Sequence, residues 1–403
     1  MNDKLNKSIL FLTLDGSVWD RHEEKLKQFF CDIEPKEILN VLLRKEYNAK
    51  LNYQSVHSSI PYIFRNLKEM NMIESTNDND YDDQKGMRNE EREGLPQFRN
   101  VSRILIENNV EHVYLSGPSF YKKAYPKSFL ERMSSSVNIL VDDHAIDTAY
   151  AQLINSLGFA PIYAEHDMRS FMRRYSSGFI PVTKGGFLCM MSHRLCSPRM
   201  SFCKINDYIQ EVFARAVVDR CDDLPVKVLS PEDQILFCFA HMYYQQMYEN
   251  IYNPQHYADI VGYMYNNEVD WMKVTNYCNR YDCNRILFYC ILFLNEIHQY
   301  LFAENLFDQT LLDSIPPGMV RHLYECRNGT LFMDDIVGYH DSEPHELLLG
   351  FRHTTAAFGD LSSQYHSMKK EEKNKFLEKV EAHGILDYNY DTFGDISKLG
   401  SKI

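Results

Sequence analysis

The clearest alternation of apolar and polar positions lies between residues 113 and 143. Val113-Tyr114-Leu115 is a short apolar run that halts at Ser116-Gly117-Pro118. Val137 to Val141 is a second, β-branched run, closed by Asp142-Asp143. Together they predict strand, glycine turn, helix, loop, strand. Asp142 or Asp143 is expected to cap a helix over Ala145 to Leu157, ended by Gly158. Phe159 to Tyr163 predicts a further strand. Phe179–Thr183 and Phe187–Met191, joined by Lys184-Gly185-Gly186, predict a β-hairpin.

The flanks read as helix. In residues 1–72, Ile38, Val41, Leu42 and Leu43 follow Pro35 at helical spacing, and His57, Ile60, Ile63 and Leu67 make a second stripe. His57 reads as a packing residue. Residues 74–95 are polar and charged, and predict a mobile loop. A helix resumes over 97–110. From about 205 the pattern is helical to the end. Ser230-Pro231-Glu232-Asp233 is a strong helix start, with a capping serine, a first-turn proline and carboxylates near the positive end. His241, one turn beyond Phe237, reads as a packed structural histidine. Further helices are predicted around 255–266, 270–280 and 283–305, and a charged one from Ser367 to Ala382.

The predicted fold class is therefore α+β: a small β-sheet core, flanked by N-terminal helices and a large C-terminal helical region. The expected boundaries are 1–98 for the N-terminal helical region with its loop at 74–95, 99–204 for the α/β core, and 205–403 for the helical domain.

Composition narrows the function. The 403 residues carry a formal net charge of −13, which argues against a general nucleic-acid surface. Lys and Arg at 122–132 and 169–174 could still line a local basic groove. Ten cysteines form no CxxC pair, and the spacing of Cys189, Cys196 and Cys203 is not one for zinc; reduced core thiols are expected. No run is long enough to span a bilayer, and the Ile9–Leu14 run is too short for a signal peptide. The expectation is a cytoplasmic protein with no membrane association. Seven tyrosines (243, 244, 248, 252, 257, 263 and 265) fit either interhelical packing or a partner-binding surface.

The strand–glycine–helix–strand stretch suits a phosphate-bearing ligand. Several pieces in fixed order extend it: Leu115-Ser116-Gly117, Tyr125-Pro126, Arg132, Ser136 to Val141, Cys189 to Leu195, Leu229 to Asp233 with His241, then Asp259 and Asp270-Trp271. Together they resemble the uncharacterised bacterial nucleotidyltransferase family, with its DNA polymerase β-like palm, over roughly residues 35 to 300. The resemblance implies two magnesium ions held by paired carboxylates on the second strand and a third on the later hairpin. Here those positions align with Ser136, Asn138 and Met190, and Ser116 takes the place of a lysine. A hydroxyl and a neutral amide are poor ligands for magnesium, which favours anionic oxygens.

The expected function is thus a catalytically degenerate nucleotidyltransferase-fold protein. It would bind a small molecule, a peptide or a partner enzyme as an accessory in a bacterial biosynthetic pathway, and the reading leans away from an enzyme. Ser116, Gly117, Ser119, Arg132 and Lys184 are the candidate ligand-binding residues, and no cofactor is expected. One alternative is an active nucleotidyl or sugar-phosphate transferase, using magnesium with a nucleoside triphosphate on Asp142, Asp143, Glu165 or Asp167. Another is an interaction module built on the tyrosine-rich helices.

Overall fold

A computed structural model describes residues 3–30, 66–67, 82–127, 129, 136–162, 180–197, 200, 202–221, 224–248 and 254–317. Three short helices open it: α1 (Asp3–Leu12), α2 (Gly16–Arg21) and α3 (Glu23–Phe30). Helix α4 (Asp82–Glu107) leads into β1 (His112–Ser116), α5 (Pro118–Ala124), β2 (Ser136–Val141) and α6 (Ile146–Asn155). Strands β3 (Ala160–Pro161), β4 (Ile180–Lys184) and β5 (Phe187–Ser192) follow, then α7 (Ile209–Arg215), β6 (Val217–Cys221) and β7 (Leu224–Val228). Five helices complete the described chain: α8 (Pro231–Tyr248), α9 (Pro254–Asn266), α10 (Trp271–Arg280), α11 (Asn284–Phe302) and α12 (Gln309–Asp313).

The strands form one mixed sheet in the order β3-β4-β5-β2-β1-β7-β6. This is the expected α+β class. Strands β1 and β2 run antiparallel, β2 and β5 parallel, and β1 and β7 parallel. The β4–β5 hairpin forms as expected. Its turn residues Gly185 and Gly186 have φ of 55° and 80°, the positive values that a two-residue turn matching the strand twist requires.

Period-two alternation sorts the strand residues between two cores. Tyr114, Val137, Ile139, Val141, Cys189 and Met191 face α4 and α6, where they meet Phe98, Val101, Leu105, Ile146 and Leu153. Val113, Leu115 and Leu140 face the other way, into the large core with α1–α3, α5 and α7–α11. Ser136, Asn138 and Met190 alternate with residues of the first core and point to this second side.

Three expectations need correction. Residues 82–95 are helix, not loop; residues 74–81 lie outside the described residues. The segment lacks an apolar stripe, yet Glu90, Glu91, Arg92 and Glu93 are good helix formers, so polarity alone does not signal a loop. The chain after 205 is not wholly helical: β6 and β7 form a hairpin whose second strand joins the palm beside β1, so a boundary at 205 would cut the sheet. The α6 cap is Ala145; the Asp142 carboxylate instead accepts from the His144 amide (2.9 Å), one turn earlier. The helix at 35–43, the stripe with His57 and the Ser367–Ala382 helix lie outside the described residues.

Two glycines set close approaches that frame the site. Gly117 caps α5 with φ of 114°, and a Cβ there would come within 2.9 Å of Val137 Cγ2. A Cβ on Gly262 would sit 2.5 Å from the Ala124 carbonyl oxygen, so α9 crosses the end of α5 at backbone contact.

Candidate functional site

A cavity of about 280 Å³ opens between the sheet and helices α8 and α9. One wall is the palm: Leu115 and Ser116 at the end of β1, Ser136 and Asn138 on β2, and Met190 on β5. Ser136 and Asn138 are two apart on one strand and so share a face. Met190 pairs directly with Asn138 across the parallel β2–β5 ladder. The three positions that the resemblance assigns to metal-holding carboxylates therefore converge on one patch. Asn138 is 8% exposed, and its Oδ1 has no hydrogen-bond partner among the described residues.

The opposite wall comes from helices far along the chain. Gln234, Cys238, His241 and Gln245 recur every three to four residues on α8, so they line one face. On α9, Gln255 and its neighbour His256 line the cavity together with Asp259, one turn further on. Helix α8 is held by its start. Ser230 Oγ accepts from the Asp233 amide (3.2 Å), and the buried Asp233 carboxylate receives a two-pronged ion pair from Arg215 at 2.9 and 2.8 Å. Gln234 Nε2 donates to the Leu115 carbonyl (2.9 Å), tying the helix to the palm.

Asp259 is the one carboxylate among the described lining residues. Its Oδ1 accepts from the Tyr125 hydroxyl (2.5 Å) and from Gln255 Nε2 (3.1 Å), and Gln255 Nε2 also reaches the Tyr125 oxygen (2.6 Å). Burial holds the His241 imidazole down to about 4, against the opposing pull of Asp259. His241 stacks on Phe237 with ring centres 6.0 Å apart, as its sequence position suggests, but it also faces the cavity. Burial pushes the Cys238 thiol up to about 12.

The expected ligand-binding residues divide. Ser116 lines the cavity, and Gly117 sets the turn behind it. Ser119 is buried in α5, its Oγ lacks a partner among the described residues, and it is not part of the lining. Lys184 is elsewhere: it sits at the β4–β5 turn, three residue pairs from Met190, and its ammonium donates to the Leu157 carbonyl (2.5 Å). Arg132, Glu165 and Asp167 lie outside the described residues, as do 169–174 of the expected basic groove. Lys123 is paired with Asp219 (3.1 Å) and Lys127 with Asp20.

Asp142 and Asp143 do not reach the cavity. They follow the far end of β2, about 13 Å of strand beyond Asn138 at about 3.3 Å per residue. Asp142 Oδ2 accepts from Gln210 Nε2 (2.6 Å), and Asp143 lies 3.9 Å from His193. The tyrosines expected to offer an interaction surface are chiefly core: Tyr243, Tyr257 and Tyr263 are at most 1% exposed. The side chains of Tyr248 and Tyr252 lie outside the described residues. The sequence reading missed the amide-bearing wall. A polar stripe through the otherwise apolar α8 was its available signal.

With this geometry in view, the comparisons fall into place. A family model described as an uncharacterised nucleotidyltransferase matches residues 45–299. The chain belongs to that family. No curated protein shows significant similarity to it. No helix among the described residues is long and apolar enough to cross a membrane.

Proposed function

We propose that this chain is a catalytically silent nucleotidyltransferase-family protein that uses its palm cavity to bind rather than to transfer. One observation carries the reading: Ser136, Asn138 and Met190, the positions that the family resemblance assigns to metal-holding carboxylates, meet on one patch of the cavity wall. None of the three side chains is an anion, and magnesium requires hard anionic oxygens at about 2.0–2.1 Å.

The lining also selects a ligand class. It holds no Lys or Arg among the described residues, so the described lining offers a triphosphate no cationic partner. It presents acceptors instead: Asn138 Oδ1 and Gln245 Oε1, both without hydrogen-bond partners among the described residues, and the Asp259 carboxylate. A buried acceptor left unmet costs about 1–3 kcal/mol, so a ligand that donates to it gains that much. The occupant is a small molecule or short peptide segment rich in N–H or O–H groups, with apolar parts against Phe120 and Phe237. The role is that of an accessory protein in a bacterial biosynthetic pathway, acting in the cytoplasm, and no resident cofactor is needed for it.

Calorimetry with each nucleoside triphosphate, with and without magnesium, tests the first half. The reading predicts no magnesium-dependent binding, and no change on Asp142→Ala. Thermal-shift measurements with primary amines, amides and short uncharged peptides test the second. A shift that disappears in Asn138→Leu supports the assignment; tight magnesium–nucleotide binding overturns it.

A further inference from the structure

Away from the cavity, two buried imidazoles and a carboxylate converge beneath α11. His22 is the C-terminal cap of α2, His298 lies in the last third of α11, and Glu304 follows that helix just past Ala303, whose φ of 55° turns the chain back. His22 Nδ1 is 3.2 Å from Glu304 Oε1, and His298 Nε2 is 3.8 Å from the same oxygen. One ligand atom from each of the three residues lies within 4.8 Å of the others. We infer that His22, His298 and Glu304 form a zinc-class metal site that ties the N-terminal helices to α11.

Three features bear on the assignment. The donor set is the first: two imidazole nitrogens and one carboxylate suit zinc, whose tetrahedral sites use N–metal bonds of about 2.0–2.1 Å and leave a fourth position for water. Three atoms spaced as these are need only small rotations to share one ion, and Glu304, at 42% exposed, has room to make them. The second feature is the outer ring. The Tyr257 hydroxyl lies 2.8 Å from His298 Nδ1, and the Tyr265 hydroxyl 3.3 Å from His22 Nε2. Tyr257 thus holds the His298 nitrogen opposite the one facing Glu304, and Tyr265 does so for His22, which fixes ring orientation as outer partners do at histidine metal sites. The Tyr265 hydroxyl is also 3.3 Å from His298 Nε2, the nitrogen facing Glu304, a contact that an ion would replace.

The third is the placement of nearby cations. Lys25 Nζ takes the other oxygen of Glu304 (2.8 Å) and the Phe302 carbonyl (2.8 Å), leaving Oε1 to face the rings. The Arg21 guanidinium lies over the Tyr265 ring, 4.4 Å from its centre. These two charges oppose any cation, so a weakly bound hard ion such as magnesium or calcium is excluded and only a metal with strong affinity for imidazole would hold there.

The test uses the full-length chain, stripped with a chelator and titrated with zinc and, separately, with cobalt(II). The expected result is one equivalent of either ion. The cobalt spectrum should show d–d bands of an N,O-ligated ion, and zinc should raise the melting temperature by a few degrees. Glu304→Gln, at an exposed position that leaves packing intact, should weaken zinc at least tenfold and remove the melting shift. Equal zinc affinity in Glu304→Gln overturns the site, and so does absence of binding. A thiolate charge-transfer band also overturns it, since it would place the ion among buried thiols such as Cys196 and Cys203, whose sulfurs are 3.4 Å apart.

Discussion

The palm cavity and the histidine cluster under α11 make an instructive pair. The cavity's palm wall carries a serine, an asparagine and a methionine at the positions that the family resemblance assigns to metal-holding carboxylates. The cluster is built from α2, α11 and the residues after α11 rather than from the sheet, yet it gathers two buried imidazoles and a carboxylate with tyrosine partners behind them. Backbone geometry and ligand chemistry are separable. On the proposed reading, the fold keeps the register that aligns positions 136, 138 and 190 without the side chains that two-metal chemistry needs. A metal-binding donor set can equally arise on packed helices.

The comparison can be broken most forcefully by giving the cavity what it lacks. Ser136→Asp with Asn138→Asp and Met190→Asp places three carboxylates on one largely buried patch. Without metal, their mutual repulsion and lost hydration should destabilise the protein by on the order of 5 kcal/mol. Magnesium should restore part of that loss in the triple variant and do nothing for the parent, as read from denaturant midpoints with and without the ion.

Next in size is the frame of the opposite wall. Asp233→Ala leaves Arg215 without its two-pronged partner at a fully buried position, and should cost about 3–5 kcal/mol by chemical denaturation. Gly262→Ala forces a methyl group against the Ala124 carbonyl and should cost about 1–3 kcal/mol, loosening α9 and with it Gln255 and Asp259. A loss confined to ligand-induced stabilisation, with unchanged apo stability, would show that α9 packs less tightly on α5 than the contact implies.

A smaller effect follows from His241. Its imidazole titrates near 4 in the folded chain and near 6.5 unfolded, so the unfolded state binds more protons between those values. The stability it protects is complete above about pH 6.5 and declines as pH falls towards 4. His241→Gln should flatten that part of the stability–pH curve. The smallest effect is expected for Ser136→Ala, within about 0.5 kcal/mol of the parent, because the side chain is small and only half-buried.

Much of this molecule was legible in its sequence, in proportion to how local the signals are. Val113 to Leu115, Val137 to Val141 and the Gly185-Gly186 hairpin announce themselves by alternation and by turn chemistry that only glycine satisfies. The start of α8 is readable from four residues. Strands β6 and β7 escaped because they are short and surface-facing: Val218 is 70% exposed, and Asp219, Arg220, Pro225 and Lys227 break the apolar run. The 82–95 helix escaped for lack of an apolar stripe. In the site, the patch of Ser136, Asn138 and Met190 could be aligned because it belongs to the palm. Gln234, Gln245, Gln255 and Asp259 could not be matched to it, since the contacts that bring them there span about a hundred residues or more, as with Gln234 and Leu115 or Asp259 and Tyr125. His22, His298 and Glu304 are likewise joined only by the packing of opposite ends of the described chain.

The most direct test of the central claim is calorimetric titration of the full-length protein with a nucleoside triphosphate in the presence and absence of magnesium. The account predicts that magnesium adds nothing to nucleotide binding in the parent protein. Magnesium-dependent binding in the parent, abolished by substitutions at Ser136, Asn138 or Met190, would contradict it.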